Sequence, residues 1–271
     1  MRNILNAYNL KMGAGQIGGI ATLLDMDFKN AAGFMGVQAD VNEGQYIVHF
    51  LSHAMMFCVG ALIEAHVVLT PASCGFGERY KFDIIGGTNK FLEFAGGYRL
   101  VQYLCIQRGY NHTRRWTECS SDNMALLVLN QQFSFHKREP GSDFVMNRVR
   151  YGISAPKDDR RIGDTNCRYY GWGSRRNNEK FGALCPDDLG TVIVCSGFVQ
   201  GMMTSRLVDR PCGVGFLDLS KYNKFLTCGV NDSRDVIEHD DFMMFDFTTN
   251  PPTPSLIIPP VLFKENNTSS R

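Results

Sequence analysis

From about residue 45 the chain alternates short apolar runs with polar, glycine-bearing breaks. The runs are Tyr46–Leu51, Phe57–Ile63, His66–Thr70, Phe82–Ile85, Tyr98–Ile106 and Met124–Leu129, then Phe144–Ile153, Arg168–Trp172, Thr191–Cys195, Phe198–Met203 and Gly213–Leu219. Val, Ile, Phe and Tyr dominate them, with Gly, Asn, Asp and Ser between. β-Branched and aromatic side chains suit a pleated, half-buried surface, so many short runs at this spacing predict an all-β sandwich or barrel. Ser220–Leu226 predicts a short terminal helix. Residues 1–33 show no clear period and read as a leader of unclear role. After Cys228 the chain turns acidic (Asp232, Asp235, Glu238, Asp240, Asp241) and then proline-rich (Pro251, Pro252, Pro254, Pro259, Pro260). That composition predicts an extended or disordered tail over 229–271. No internal repeat of fixed period stands out.

Composition narrows the class. The 271 residues are 44% hydrophobic, enough for a real core. All-β barrel pairs of roughly 200–250 residues fit this length. Twenty-eight basic and 27 acidic residues leave a net charge of +1, which argues against a nucleic-acid partner. No apolar run approaches the ~18 residues of a membrane helix. The nine cysteines are Cys58, Cys74, Cys105, Cys119, Cys167, Cys185, Cys195, Cys212 and Cys228. None forms a C-x-x-C pair, so a zinc ribbon or thiol redox site is poorly supported and no cofactor or metal is expected. Scattered cysteines point to disulfides and an oxidising compartment. Sequons at Asn111, Asn231, Asn266 and Asn267 agree with a secreted, extracellular glycoprotein. The first 30 residues disagree: Arg2 and Lys11 are followed by Gly-Ala-Gly-Gln-Ile-Gly-Gly, with no apolar core of a signal peptide. The favoured expectation is a true start further upstream.

Seven short stretches carry a resemblance. Phe57-Cys-Val-Gly-Ala-Leu-Ile63 is followed by His66-Val-Val-Leu-Thr-Pro-Ala-Ser-Cys74. Ser121-Asp-Asn-Met-Ala-Leu-Leu-Val-Leu129, Cys167-Arg-Tyr-Tyr-Gly-Trp-Gly173 and Cys185-Pro-Asp-Asp-Leu-Gly-Thr-Val-Ile-Val-Cys195 come next. Ser196-Gly-Phe-Val-Gln-Gly201 and Cys212-Gly-Val-Gly-Phe216 close the series. In this order they resemble the trypsin/chymotrypsin family of serine peptidases over residues 34–228. The resemblance implies two perpendicular six-stranded β-barrels with a site in the cleft between them.

It also implies what is missing. The family's histidine takes the nucleophile's proton, its buried aspartate holds that histidine, and its serine attacks the carbonyl. Matched by position, the histidine slot is Ser73, the aspartate slot Asp122 and the serine slot Leu189. Leucine has no nucleophilic atom, and a serine hydroxyl is no base near neutral pH. The oxyanion-hole glycine is Asp187, whose carboxylate would repel a developing oxyanion. Losing a triad costs on the order of 10⁶ in turnover in a subtilisin-type enzyme. The family's I-V-G-G terminus is matched by Gly33-Phe-Met-Gly36, with no basic residue at the junction. The acid that would pair with such a terminus matches Asp188, read more simply as a solvated turn acid. Only eleven residues separate Gly173 from Cys185. The family has several dozen there, including strands of the second barrel and a wall of the specificity pocket, whose base falls at Ala183. The second barrel is therefore expected to be incomplete, unless an exon is missing from this form of the chain.

The resemblance implies three bridges, Cys58–Cys74, Cys167–Cys195 and Cys185–Cys212, the first stabilising by ~3 kcal/mol in the chain-entropy view. Separately, Cys105 and Cys119 flank Asn111 and can pair locally, leaving Cys228 over. Arg114, Arg115 and Trp116 in that excursion form a candidate binding loop, weighed against plain surface decoration. His239-Asp240-Asp241 reads as solvated tail, not metal site; His49, His53 and His66 as strand or loop histidines; Arg175, Arg176 and Glu179 as solvated loop. Gly13–Gly18 spells G-x-G-x-x-G, but no strand precedes it. The expected function is thus that of an inactive serine protease homologue, with an insect source suggested by the style of the chain and a role in reproduction or immunity. It would bind extracellular proteins, active proteases or their substrates among them, as a cofactor, decoy or regulator of a protease cascade. The alternative is a serine-type endopeptidase whose active parts are missing from this form.

Overall fold

The structure is a computed structural model. It describes residues 6–10, 16–17, 20–22, 37–40, 42–52, 55–75, 82–89, 96–111, 122–152, 167–171, 188–207, 213–219, 222–228, 230 and 242–246. Fifteen strands are among them. They are β1 (Asn6–Leu10), β2 (Gln16–Ile17), β3 (Ile20–Thr22), β4 (Val37–Gln38), β5 (Ile47–Ser52), β6 (Met55–Glu64), β7 (Val67–Thr70) and β8 (Asp83–Gly86). Then follow β9 (Gly97–Gln107), β10 (Ala125–Leu129), β11 (Cys167–Gly171), β12 (Val192–Cys195), β13 (Phe198–Leu207), β14 (Gly213–Asp218) and β15 (Phe242–Asp246). A single helical turn, α1 (Ala72–Gly75), follows β7.

The strands form two sheets. In the first the order β10-β7-β6-β5-β8-β9 closes through β9–β10 pairing into a six-stranded barrel, and β15 adds to β9. The second is an eight-stranded sheet, β2-β3-β14-β13-β12-β11-β1-β4. The first barrel therefore has the expected form, whereas the second is a sheet with extra strands from the far N-terminus.

The elements follow from local sequence. Along β10 every residue is buried, because both faces are covered. Ala125, Leu127 and Leu129 join one apolar cluster with Val48, Phe50, Val59 and Leu104. Leu126 faces the other way, into a cluster with Cys105, Met202, Leu217, Phe225 and Cys228. Both clusters draw on both sheets, so the two halves share their core. Ser196 (φ 52°) and Gly197 (φ 82°) turn β12 into β13. A two-residue hairpin that needs two positive φ values explains the Ser-Gly pair.

Four expectations change. Phe144–Ile153 is not a strand among its described residues; it bridges the sheets by single bonds, Val149 N–H to the Leu62 carbonyl and Val199 N–H to the Arg150 carbonyl. The terminal helix over Ser220–Leu226 reduces to a 3-10 turn at Phe225–Thr227. Residues 6–22, within the stretch read as a leader of unclear role, hold three strands. The tail contains β15, opposite Tyr103–Gln107 of β9, so Phe242–Asp246 is not disordered. The rest of 229–271, apart from Val230, lies outside the described residues.

Candidate functional site

The site lies where the loop before β12 meets the first barrel. Ser73 sits in α1, held by the Cys58–Cys74 disulfide to β6. Leu189 is brought to the same strand by its carbonyl, which accepts the Val59 N–H at 2.8 Å. Its carbonyl also lies 4.0 Å from Cys74 Sγ. Gly190 fixes this approach. It has φ 102°, and a Cβ there would collide with the Val59 carbonyl oxygen, so only glycine permits the two chains to come so close.

The residue that holds Ser73 is Asn123, not Asp122. The Ser73 N–H donates to Asn123 Oδ1 at 2.9 Å. Asn123 Nδ2 donates to Ser73 Oγ at 3.2 Å and to the Thr204 carbonyl at 2.9 Å. Asn123 is buried, and its bond to the Thr204 carbonyl is made away from water. This corrects the aspartate slot. Counting back from Ala125, where β10 begins opposite Thr70 of β7, places Asn123 beside α1 and Asp122 one residue outside. Asp122 lies instead against Gly109, where a Cβ would meet its carboxylate at 2.7 Å. It also raises the pKa of Tyr222, which burial foremost, then Asp122 and Asp218, push up to about 12. Thr204, the third member of this cluster, carried no sequence signal.

The three positions thus offer a hydroxyl, an amide and an aliphatic side chain. None of them titrates near neutral pH, and Leu189 has no atom that can attack a carbonyl. Asp188 next to it is completely buried and its carboxylate packs on Gly171, so the reading as a solvated turn acid is overturned.

The family model described as Trypsin matches residues 34–196, more than half of the chain. The chain belongs to the trypsin family. Solved structures share the fold. A scabies mite inactivated protease paralogue aligns with TM-score 0.54 and 16% identity, over 73% of this chain and 97% of its own. Mouse neuropsin, a serine protease expressed in the limbic system of the brain, aligns with TM-score 0.50 and 15% identity, over 71% and 97%. No curated protein matches the sequence.

The remaining candidates distribute over this trypsin-family domain as follows. Cys167 and Cys195 are bridged across β11 and β12, where they are direct strand partners. Cys105 is bridged to Cys228, not to Cys119. Sequence proximity loses here because Cys105 faces the cluster into which Phe225 and Leu226 fold the chain after β14. Cys228, expected to be left over, is therefore paired. Three bridges among the described residues are consistent with an extracellular location. Asn111 is exposed just beyond β9. Asn231, Asn266, Asn267, Arg114, Arg115, Trp116, Cys119, Cys185, Cys212, Asp187, Ala183, His53, Arg175, Arg176, Glu179 and His239–Asp241 lie outside the described residues. His49 is buried on β5, opposite Val59 and Ile85. His66 stands in the turn between β6 and β7, its carbonyl accepting the Leu129 N–H. Among the described residues no cluster of metal-ligating side chains occurs, and no helix is long and apolar enough to cross a membrane.

Proposed function

We propose that the chain is a secreted, non-catalytic member of the trypsin family that acts by binding proteins, as a cofactor, decoy or regulator of an extracellular protease cascade. The observation that carries this reading is the Ser73–Asn123–Thr204 cluster beside Leu189. Base, carboxylate and nucleophile are all replaced, and the replacements of the first two, Ser73 and Asn123, bond to each other. Without an imidazole no group takes the nucleophile's proton, and without a nucleophile there is no acyl-enzyme. The scabies mite protein of the same fold is likewise described as inactivated.

The test pairs two measurements on the secreted protein. A fluorophosphonate probe for reactive serines is expected to leave it unlabelled, and trypsin-type peptide substrates uncleaved. Stoichiometric labelling would overturn the reading and favour the endopeptidase alternative. Capture from the native fluid at high salt, against a heat-denatured control, is expected to retain discrete proteins. A column that retains nothing beyond the control removes the binding half of the proposal.

A further inference from the structure

The second sheet is assembled from two distant stretches of chain. Its four middle strands, β11 to β14, come from residues 167–218, and both flanks of that block are covered by residues 6–22. On one flank β1 pairs with β11 over five positions, from Asn6 opposite Gly171 to Leu10 opposite Cys167. On the other, β3 pairs with β14, with Ile20, Ala21 and Thr22 opposite Leu217, Phe216 and Gly215. β2 lies outside β3.

The length of the connection between β1 and β2 constrains the shape. Six residue steps from Leu10 to Gln16 reach at most about 22 Å. In a flat sheet the six inter-strand gaps between β1 and β2 would span about 29 Å. The chain cannot cross a flat sheet, so the sheet is rolled and its flanks are drawn together. One short segment holds both.

The shortened Gly173–Cys185 connection shows why such a segment is needed. Eleven residues there leave little chain for further strands beside β11. Without residues 6–22, β11 and β14 would present bare N–H and C=O rows, open to pairing with another chain. We propose that residues 6–22 are a built-in donor segment that closes the second sheet in place of the strands the short connection lacks. The N-terminal stretch is then part of the folded domain, and a cut between β3 and β4 does not mature the protein. It leaves the segment held by strand pairing alone and, once the segment departs, exposes two edges to a second copy.

The experiment uses the full chain with a site-specific protease sequence inserted within residues 23–36, cut after folding. The N-terminal fragment is expected to co-elute with the body of the protein. Stripping it in mild urea is expected to raise amide exchange in Cys167–Gly171 and Gly215–Leu217 by about 100-fold, while β5–β10 change little. Re-adding a synthetic peptide of residues 1–30 is expected to restore protection. A fragment that separates on cutting, with exchange in β11 and β14 unchanged, overturns the proposal. An uncut Tyr8→Pro, Asn9→Pro double variant serves if the cut protein aggregates. Adjacent residues on a strand point their N–H groups to opposite edges, so one of the two prolines deletes a donor toward β11. Protection in β11 is expected to fall selectively, and unaltered protection there refutes the donor role.

Discussion

At the residue scale the site turns on one amide. Asn123 accepts from the Ser73 N–H and donates to Ser73 Oγ and the Thr204 carbonyl, and a carboxylate can do only the first. Asn123→Asp would set a buried negative oxygen against the Thr204 carbonyl. The expected cost at neutral pH is about 2–3 kcal/mol. It shrinks in acid, because a protonated Asp regains a donor and its folded pKa is raised. Urea midpoints at pH 5 and pH 8 check this; a variant equally stable at both would refute the cluster as drawn. The same site shows the limit of motif matching. Ser121-Asp-Asn-Met-Ala carries one residue more between its acid and its alanine than the family spelling, so the visible Asp122 drew the assignment. The hydrogen bonds to Ser73 show that Asn123 stands beside α1. A second residue-scale prediction concerns tyrosines. Tyr46 Oη is buried with no hydrogen-bond partner among the described residues. Burial foremost, then Tyr170 and Glu43, hold its pKa well above 10.0. Burial and Glu64 push Tyr151 to about 12. Above pH 10 the unfolded chain sheds phenolic protons that the folded chain keeps, so stability is full below about pH 10 and falls as pH rises toward 12. Tyr46→Phe is expected to flatten that alkaline slope while shifting neutral-pH stability by under about 1 kcal/mol, since the lost hydroxyl makes no bond. Denaturant midpoints from pH 8 to 12 would expose an unchanged slope.

At the scale of elements, the contact of the Leu189–Gly190 loop with β6 is what gives the site its shape. Gly190→Ala forces a positive φ on an L-residue and drives a methyl into the Val59 carbonyl. Strain and overpacking together are expected to cost about 2–5 kcal/mol. A thermal or urea midpoint within error of the parent would show that the loop has another conformation available. The strands flanking this contact were legible because each is an apolar run bounded by turn residues. β6, β7 and β10 announce themselves by composition. β1, β2 and β3 did not, being two to five residues long with partners far along the chain. β15 was hidden by averaging: Phe242–Phe245 is an apolar island, but its acidic and proline-rich neighbours set the reading of the whole tail. Phe144–Ile153 misled in the opposite sense, since Phe144, Met146 and Val149 are buried as a strand's core residues would be, without a strand's ladder.

For the whole molecule, the Cys105–Cys228 bridge changes the cysteine arithmetic. It joins residues 123 apart in sequence and ties the segment after the second sheet to β9 of the first barrel. Phe225 and Phe242 meet beside that junction, their ring centres 6.2 Å apart. Three bridges use six of the nine cysteines, leaving Cys119, Cys185 and Cys212. The trypsin-family pattern pairs Cys185 with Cys212. On that pairing the odd thiol is expected at Cys119, three residues after Trp116, and not at Cys228. Alkylation of the unreduced, denatured protein is expected to label one thiol per chain, mapping to the peptide that contains Cys119. Cys119→Ser is expected to abolish the label without changing stability, because no bridge is lost. Removing Cys105 and Cys228 together is expected to cost about 2–4 kcal/mol, since that bridge closes the longest loop of the three. Label found on Cys105 or Cys228 in the parent protein would break both expectations at once. Label on Cys228 with Cys119 unlabelled would return the β9 cysteine to the local pairing that sequence proximity suggests.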